Sequence, residues 1–142
     1  MKYRKQYLTI LQEELKKAMG CTEPIAISYL SSKLQELLGE DVVNVDVYVS
    51  GNILKNVKSV VVPNTNGLRG ISAAVAIGII AGRPELKLEC LSKVTNNDII
   101  RSRELLDRKI INVYNNDSNF IFDISISLKG VKNTVNGRIV DN

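Results

Sequence analysis

The chain has 142 residues, of which 44% are hydrophobic and 24% are charged. These values are ordinary for a soluble globular protein, so we predict one domain over residues 1–142. The net charge of +4 is spread along a chain that has no Trp and only two Phe, which argues against a nucleic-acid surface. The longest apolar run is too short to cross a bilayer.

The first third of the chain predicts a helical hairpin. Apolar residues recur at helical spacing from Tyr3 to Met19, which indicates a first helix. A second helix follows a Cys-Thr-Glu-Pro corner and ends at Gly39. Its predicted buried stripe comprises Ile27, Leu30, Leu34, Leu37 and Leu38.

The middle of the chain combines strands with a central helix. Alternating valines predict a strand from Val43 to Val49, and a turn after it leads to a second β-branched run, Val57–Val62. The segment Ile71–Ala81 is apolar on nearly every side and predicts a buried central helix. Pro84 opens a short helix, and Thr95 caps a longer one.

The last third of the chain turns to strand. Candidate strands lie at residues 110–114 and 120–128, and a third falls within Lys132–Val140, where Asn136-Gly137 is alternatively a tight turn. The order of the elements predicts an α+β fold with an N-terminal helical hairpin, a buried central helix and an antiparallel sheet.

Cys21 is the first candidate functional residue. Gly20 is suited to end one helix, while Thr22 and Pro24 are suited to begin the next. A thiol at the positive end of a helix has a lowered pKa and can act as a base or nucleophile. The alternative is a small buried cysteine beside a helix cap.

The cysteine and histidine content favours a reactive Cys21 over a buried structural cysteine. The chain has two cysteines and no histidine, so the commonest general base is missing and Cys21 is the obvious substitute. The spacing of Cys21 and Cys90 matches no metal site, and Cys90 lies among leucines typical of a core. The charged N-terminus is unlike a secretory signal, so we expect a reduced, cytoplasmic protein.

Two further polar segments are candidates for binding a small ligand. In the first, Asn52 and Asn56 can hydrogen-bond a polar ligand, and Lys55 can pair with a carboxylate. The alternative is a hairpin with turn-favouring asparagines and a solvated lysine. The second is the loop Pro63–Gly70, which contains Thr65 and whose backbone N–H groups at the following helix can hold an anion. An ordinary capped loop is the alternative there.

Taken together, these segments resemble the L-cysteine desulfidases, which are related to the alpha subunit of iron–sulphur-dependent L-serine dehydratase. The resemblance rests on five motifs in order over some sixty residues. They are Gly20-Cys21-Thr22-Glu23-Pro24-Ile25-Ala26, Asn52-Ile53-Leu54-Lys55-Asn56, Val62-Pro63-Asn64-Thr65, the pair Gly67 and Gly70, and Ala74-Val75-Ala76-Ile77-Gly78.

The resemblance implies a lyase that converts L-cysteine to pyruvate, ammonia and sulfide with a [4Fe–4S] cluster. It casts Cys21 as the general base that takes the Cα proton. From polarity and position, we expect Asn52, Lys55, Asn56 and Thr65 to orient the amino-acid substrate.

The resemblance also implies that the cluster-binding cysteines lie outside this chain. We therefore expect an N-terminal lobe that is inactive alone and needs a C-terminal lobe or subunit. Its exposed apolar face predicts self-association. An L-serine dehydratase-like lobe and a non-catalytic small-molecule binding domain remain the alternative interpretations.

Overall fold

The computed structural model describes residues 5–11, 23–120 and 122–141. In chain order, the elements are β1 (Lys5–Leu11), α1 (Glu23–Leu38), β2 (Val42–Val49), α2 (Gly51–Val57), α3 (Gly70–Ala81), a 3₁₀ helix (Pro84–Glu89), α4 (Asn96–Asp107), β3 (Ile111–Asn115), β4 (Phe122–Gly130) and β5 (Thr134–Asp141). Helices and strands alternate only in part along the chain, which confirms the predicted α+β class. No helix in these ranges is long and apolar enough to cross a membrane.

The sheet is mixed rather than antiparallel throughout, so the predicted strand arrangement was wrong at both edges. Within the described ranges, five strands lie in the order β1-β5-β4-β2-β3. The central pairs β2–β4 and β4–β5 are antiparallel, whereas β3 runs parallel to β2 and β1 runs parallel to β5. The long helical connection between β2 and β3 permits this pairing, because parallel neighbours need a crossover.

The first predicted helix was wrong over Lys5–Leu11, which form β1. Along β1, Lys5 lies opposite Thr134 and Leu11 lies opposite Val140. Helical spacing alone is a weak signal for so short a segment, and pairing with an open sheet edge satisfies the same backbone groups. Residues 3–4 and 12–19 of the predicted helix lie outside the described residues.

The core lies between one face of the sheet and helices α1 and α3. Alternate residues of the two central strands turn towards these helices and are fully or almost fully buried. They are Val45, Val47 and Val49 of β2 and Ile124, Ile126 and Leu128 of β4. The predicted period-two pattern therefore identified the inner face of both strands.

The central helix α3 crosses α1 at close range, which confirms the predicted buried helix. The Ser28 hydroxyl donates a hydrogen bond to the Ala74 carbonyl oxygen at 2.7 Å. A Cβ placed on Gly78 would lie 2.5 Å from the Ser28 carbonyl oxygen. This approach leaves no space for a side chain at Gly78, so small residues set the distance between the two helices.

The segment after β2 is a helix, so the predicted turn and second strand were wrong. Ser50 caps α2, with its hydroxyl oxygen accepting a hydrogen bond from the Ile53 N–H at 3.4 Å. Ile53 and Val57 are buried beneath the helix. Of the run Val57–Val62, only Val61 makes a strand-like contact, an isolated bridge to Arg69.

Other predicted boundaries are confirmed. Gly39, with φ of 65°, ends α1, and a left-handed residue of this kind is the usual helix stop. Thr95 and Asp98 form a complete capping box at the start of α4. The alternative turn at Asn136-Gly137 is excluded, since both residues lie within β5. Leu37 departs from the predicted stripe, because 42% of its surface is exposed.

Candidate active site

The start of α1 is the part of the Cys-Thr-Glu-Pro corner that the structure describes. Glu23 and Pro24 form its first turn, where proline needs no hydrogen-bond acceptor and a carboxylate meets the positive helix end. Glu23 is half-buried, and this burial raises the pKa of its carboxyl group. Cys21 and Thr22 lie outside the described residues, so the role of Cys21 as a base stays a prediction.

A pocket of about 320 Å³ opens at this end of α1. We call it the start pocket. It is lined by Ile25, Pro63, Asn64, Glu89, Leu91 and Ser92. The start of α1 and the Pro63–Gly70 loop are thus brought together, although nearly forty residues separate them in the chain. Glu89 and Ser92 add polar groups that the sequence did not single out.

Asn64 holds the loop side of the start pocket in place. Its backbone φ is 62°, a left-handed conformation that asparagine tolerates better than most residues. Its side-chain Nδ2 donates a hydrogen bond to the Leu91 carbonyl oxygen at 3.2 Å. The loop is therefore tied to the segment that forms the opposite wall of the pocket.

Thr65 lies beneath the same loop rather than at its surface. It is fully buried, and its hydroxyl donates a hydrogen bond to the Val62 carbonyl oxygen at 2.6 Å. The structure thus shows Thr65 closing the turn. Its predicted contact with a substrate stays a prediction.

Asn52, Lys55 and Asn56 lie on the exposed side of α2. The two asparagine side chains share a face, with Asn56 Nδ2 donating to Asn52 Oδ1 at 3.4 Å. None of the three residues lines the start pocket. The structure therefore does not bring them together with the start of α1 in that cavity, and their role in substrate binding is untested.

The structure also reveals a polar cluster that the sequence did not indicate. Arg138 donates two hydrogen bonds to the buried carboxylate of Asp123, at 2.9 and 2.7 Å. Burial would raise the pKa of Asp123, but hydrogen bonds from Arg138, Ser118 and Asn116 outweigh this effect and lower it. The Asp123 carbonyl oxygen accepts from the Ser50 N–H at 2.9 Å, so the cluster adjoins the cap of α2.

This cluster can be identified only from the pairing of strands that are distant in the sequence. Asp123 lies in a strand whose odd-numbered positions are polar, and its partner Arg138 lies in the neighbouring strand β5. Strand alternation alone identifies Asp123 as an outward residue. The register of β4 against β5 is needed to place the two charges together.

The residues of this chain do not fit a [4Fe–4S] cluster. Such clusters are held mainly by cysteine thiolates, and the chain has two cysteines and no histidine. Burial raises the pKa of the Cys90 thiol to about 12, so Cys90 stays protonated near neutral pH. The part of the chain that the structure describes contains no group of three His, Cys, Asp or Glu residues placed to hold a metal ion.

Among known proteins, the chain is similar to several UPF0597 proteins. A UPF0597 protein of Desulfitobacterium hafniense is 49% identical over 140 residues, which cover 99% of this chain and 33% of the relative. A UPF0597 protein of Finegoldia magna is 47% identical over 95% of this chain and 33% of its own length. One from Fusobacterium nucleatum is 45% identical over 84% of this chain and 29% of its own.

These relatives correct the expected family. The chain is similar to UPF0597 proteins over most of its length, and the prediction that it is the N-terminal part of an L-cysteine desulfidase was wrong. The chain spans about a third of the length of the curated relatives it matches. No family model and no solved structure matches it.

Proposed function

We propose that this chain contributes the proton-abstracting part of an amino-acid lyase site in the cytoplasm. The substrate is L-cysteine or L-serine, and Cys21 is the base. The observation that supports this most strongly is the start pocket, which joins the first turn of α1 to the Pro63–Gly70 loop. The sequence marks the two segments for different reasons, the first as the position of a base and the second as an anion-binding loop.

The choice of base follows from the residues available. A histidine is absent from the chain, and the buried Cys90 has a pKa of about 12. Cys21 precedes the first turn of α1 by two residues. The partial positive charge of a helix start favours a thiolate, so Cys21 is the side chain best suited to take a proton near pH 7.

The reaction follows from removal of the Cα proton. The Cys21 thiolate takes this proton, and the electron pair of the Cα–H bond forms a double bond between Cα and Cβ. The bond from Cβ to sulfur, or to oxygen in serine, breaks and the leaving group departs with its electron pair. The resulting aminoacrylate tautomerises to an imine, which water hydrolyses to pyruvate and ammonia.

The pocket offers groups that suit the substrate's polar end. Asn64 and Ser92 supply neutral hydrogen-bonding groups, and Glu89 supplies a carboxylate for the ammonium group. Assistance to the leaving group is assigned to no side chain of this chain. If a [4Fe–4S] cluster serves the reaction, its thiolates come from another region or subunit. The greater length of the relatives is compatible with such a site.

A measurement of the Cys21 pKa tests the proposal directly. We would measure the rate of iodoacetamide labelling of Cys21 between about pH 5 and 10 in the C90A variant, with the urea-unfolded chain as control. We expect a midpoint at least one pH unit below that of the unfolded chain, and slower labelling when L-serine is added. An equal midpoint in the folded and unfolded chain would overturn the assignment of Cys21 as the base.

A non-catalytic binding domain predicts a different pair of results. L-serine would then bind, as seen by amide shifts around Asn64 and Ser92, while the pH midpoint of Cys21 would equal the unfolded value. The amide shifts therefore report ligand binding, and the pH midpoint of labelling reports whether Cys21 can act as a base.

A further inference from the structure

A second pocket lies at the opposite end of α1. It has a volume of about 490 Å³, within the range of small-molecule sites. We call it the arginine pocket. Its lining includes Asp41, Ile79, Ile80, Arg101, Leu105 and Arg108. The α1 residues that line the two pockets, Ile25 and Gln35, are ten residues apart, which is about 15 Å along the helix axis.

One face of α4 builds the charged wall of the arginine pocket. Arg101, Leu105 and Arg108 follow one another at i, i+4 and i+7, which places them in one stripe. Leu105 is buried while both arginines are exposed. Arg101 approaches Asp98 only to 4.0 Å, so its guanidinium group keeps most of its hydrogen-bonding capacity.

Two further lining residues, Asp41 and Gln35, carry oxygen acceptors. Asp41 follows α1 and presents a carboxylate. Gln35 Nε2 donates to the Glu40 carbonyl oxygen at 2.8 Å, and this bond fixes the orientation of the amide. Gln35 Oε1 is then left buried with no hydrogen-bond donor among the residues described. The acceptor of this pocket that is open to a ligand ammonium group is the exposed Asp41 carboxylate.

Apolar side chains complete the pocket. Ile79 and Ile80, at the end of α3, are half-buried. Val43 and Val131 also line the pocket, and 39% and 64% of their surfaces are accessible. The cavity thus combines two cations, an anion and an aliphatic surface. An apolar α-amino acid has the complementary groups.

We propose that the arginine pocket binds an apolar α-amino acid. Arg101 and Arg108 bind its carboxylate, Asp41 binds its ammonium group, and Ile79, Ile80 and Leu105 contact its side chain. Arginine suits this role because its planar group can bind a carboxylate with two hydrogen bonds. The inference does not rest on the proposed lyase function, since no residue of the start pocket takes part.

The test uses L-leucine as the probe and the full chain as the protein. Isothermal titration calorimetry would give the Kd for L-leucine, for 4-methyl-2-oxopentanoate, which lacks the ammonium group, and for isopentylamine, which lacks the carboxylate. We expect R101Q/R108Q to weaken L-leucine binding at least about tenfold. D41N should weaken L-leucine binding while leaving the binding of the oxo acid unchanged.

Arg103 provides the matched control. It lies on the same helix but lines a different pocket, with Asn96 and Ile100. R103Q should bind L-leucine within about twofold of the wild type, and circular dichroism would verify that each variant is folded. The proposal is overturned if L-leucine shows no saturable binding, if R101Q/R108Q binds it normally, or if R103Q loses binding equally.

Discussion

The two ends of helix α1 present different chemistry. At its start, a pocket is lined by a proline turn, neutral polar groups and one carboxylate, and a conformationally restricted loop shapes it. At its end, a larger pocket is lined by two arginines and an aspartate. The first arrangement suits a small polar ligand, whereas the second suits recognition of a ligand by its charges. One helix therefore positions two sites that can be tested separately.

Both ends depend on the α1–α3 crossing, so Gly78→Ala is expected to have the largest effect. Its new Cβ would lie 2.5 Å from the Ser28 carbonyl oxygen and 2.9 Å from the Ser31 Cβ. Because relieving this contact requires a shift of the α1 backbone, we expect a loss of about 3 kcal/mol in the free energy of unfolding. Urea denaturation would measure it.

Gly39→Ala is the control for this substitution. A Cβ at Gly39 would meet no atom within 4 Å, so only its φ of 65° opposes the change. We expect a loss of about 1 kcal/mol. Equal losses at the two glycines would show that close packing does not hold the helices together.

The second largest effect is expected at the polar cluster beside α2. Asp123→Asn removes the negative charge that faces Arg138, and we expect a loss of about 2 kcal/mol at pH 7, because Asp123 is buried but 37% of the Arg138 side chain is exposed. The lowered pKa of Asp123 means that its contribution is present above the unfolded value of about 3.9 and is lost as the pH falls further.

Arg101→Gln gives the contrasting case. The Arg101–Asp98 pair has a separation of 4.0 Å, and 53% of the Arg101 side chain is exposed, so we expect a change within about 0.5 kcal/mol. Urea titrations of both variants at pH 7 and pH 3 would compare the two ion pairs. A D123N variant as stable as the wild type at pH 7 would contradict a stabilising role for the cluster.

Asn64→Ala should disturb the start pocket and leave the arginine pocket intact. It removes the hydrogen bond to Leu91 and places alanine at a φ of 62°, so we expect a loss of about 1.5 kcal/mol. L-serine binding should weaken while L-leucine binding stays unchanged. Asn66→Ala is the control, because Asn66 is exposed in the same loop and has a φ of 55°. It measures the cost of placing alanine at a left-handed φ without the loss of the hydrogen bond to Leu91. Parallel weakening of both ligands would show that the pockets are not independent.

The smallest effect is expected from Glu23→Gln. Burial raises the pKa of Glu23, so ionisation of the folded chain is disfavoured and wild-type stability falls as the pH rises above the unfolded value of about 4.3. Glutamine avoids this loss. The stability difference between E23Q and the wild type should therefore grow from pH 4 to pH 7, and a constant difference would contradict the assigned cause.

The sequence predicted best the elements whose signal is local. The capping box at Thr95 and Asp98, the left-handed stop at Gly39 and the alternation of β4 all follow from neighbouring residues. It failed at Lys5–Leu11, where pairing with β5 overrides helical spacing. It also failed at α2, because Ser50 serves equally well in a turn or as a helix cap.

The candidate site was predictable only in part. The start of α1 and the Pro63–Gly70 loop were both identified, yet their meeting depends on how α1 packs in the fold. The polarity of Asn52 and Asn56 predicts that they join the same site, but α2 places them outside the start pocket. The Asp123–Arg138 pair and the arginine pocket both depend on contacts between distant elements, which no local pattern records.

The role of Cys21 as the base is tested by replacing the matching segment of the Desulfitobacterium hafniense relative with this chain. Pyruvate formation from L-cysteine and L-serine would be measured anaerobically, for the chimera and for its C21A and C90A variants. We predict pyruvate from at least one of the two substrates, a loss of about a hundredfold or more in C21A, and little change in C90A. A folded chimera that forms no pyruvate, or a C21A variant as active as its parent, would contradict the proposed role of Cys21.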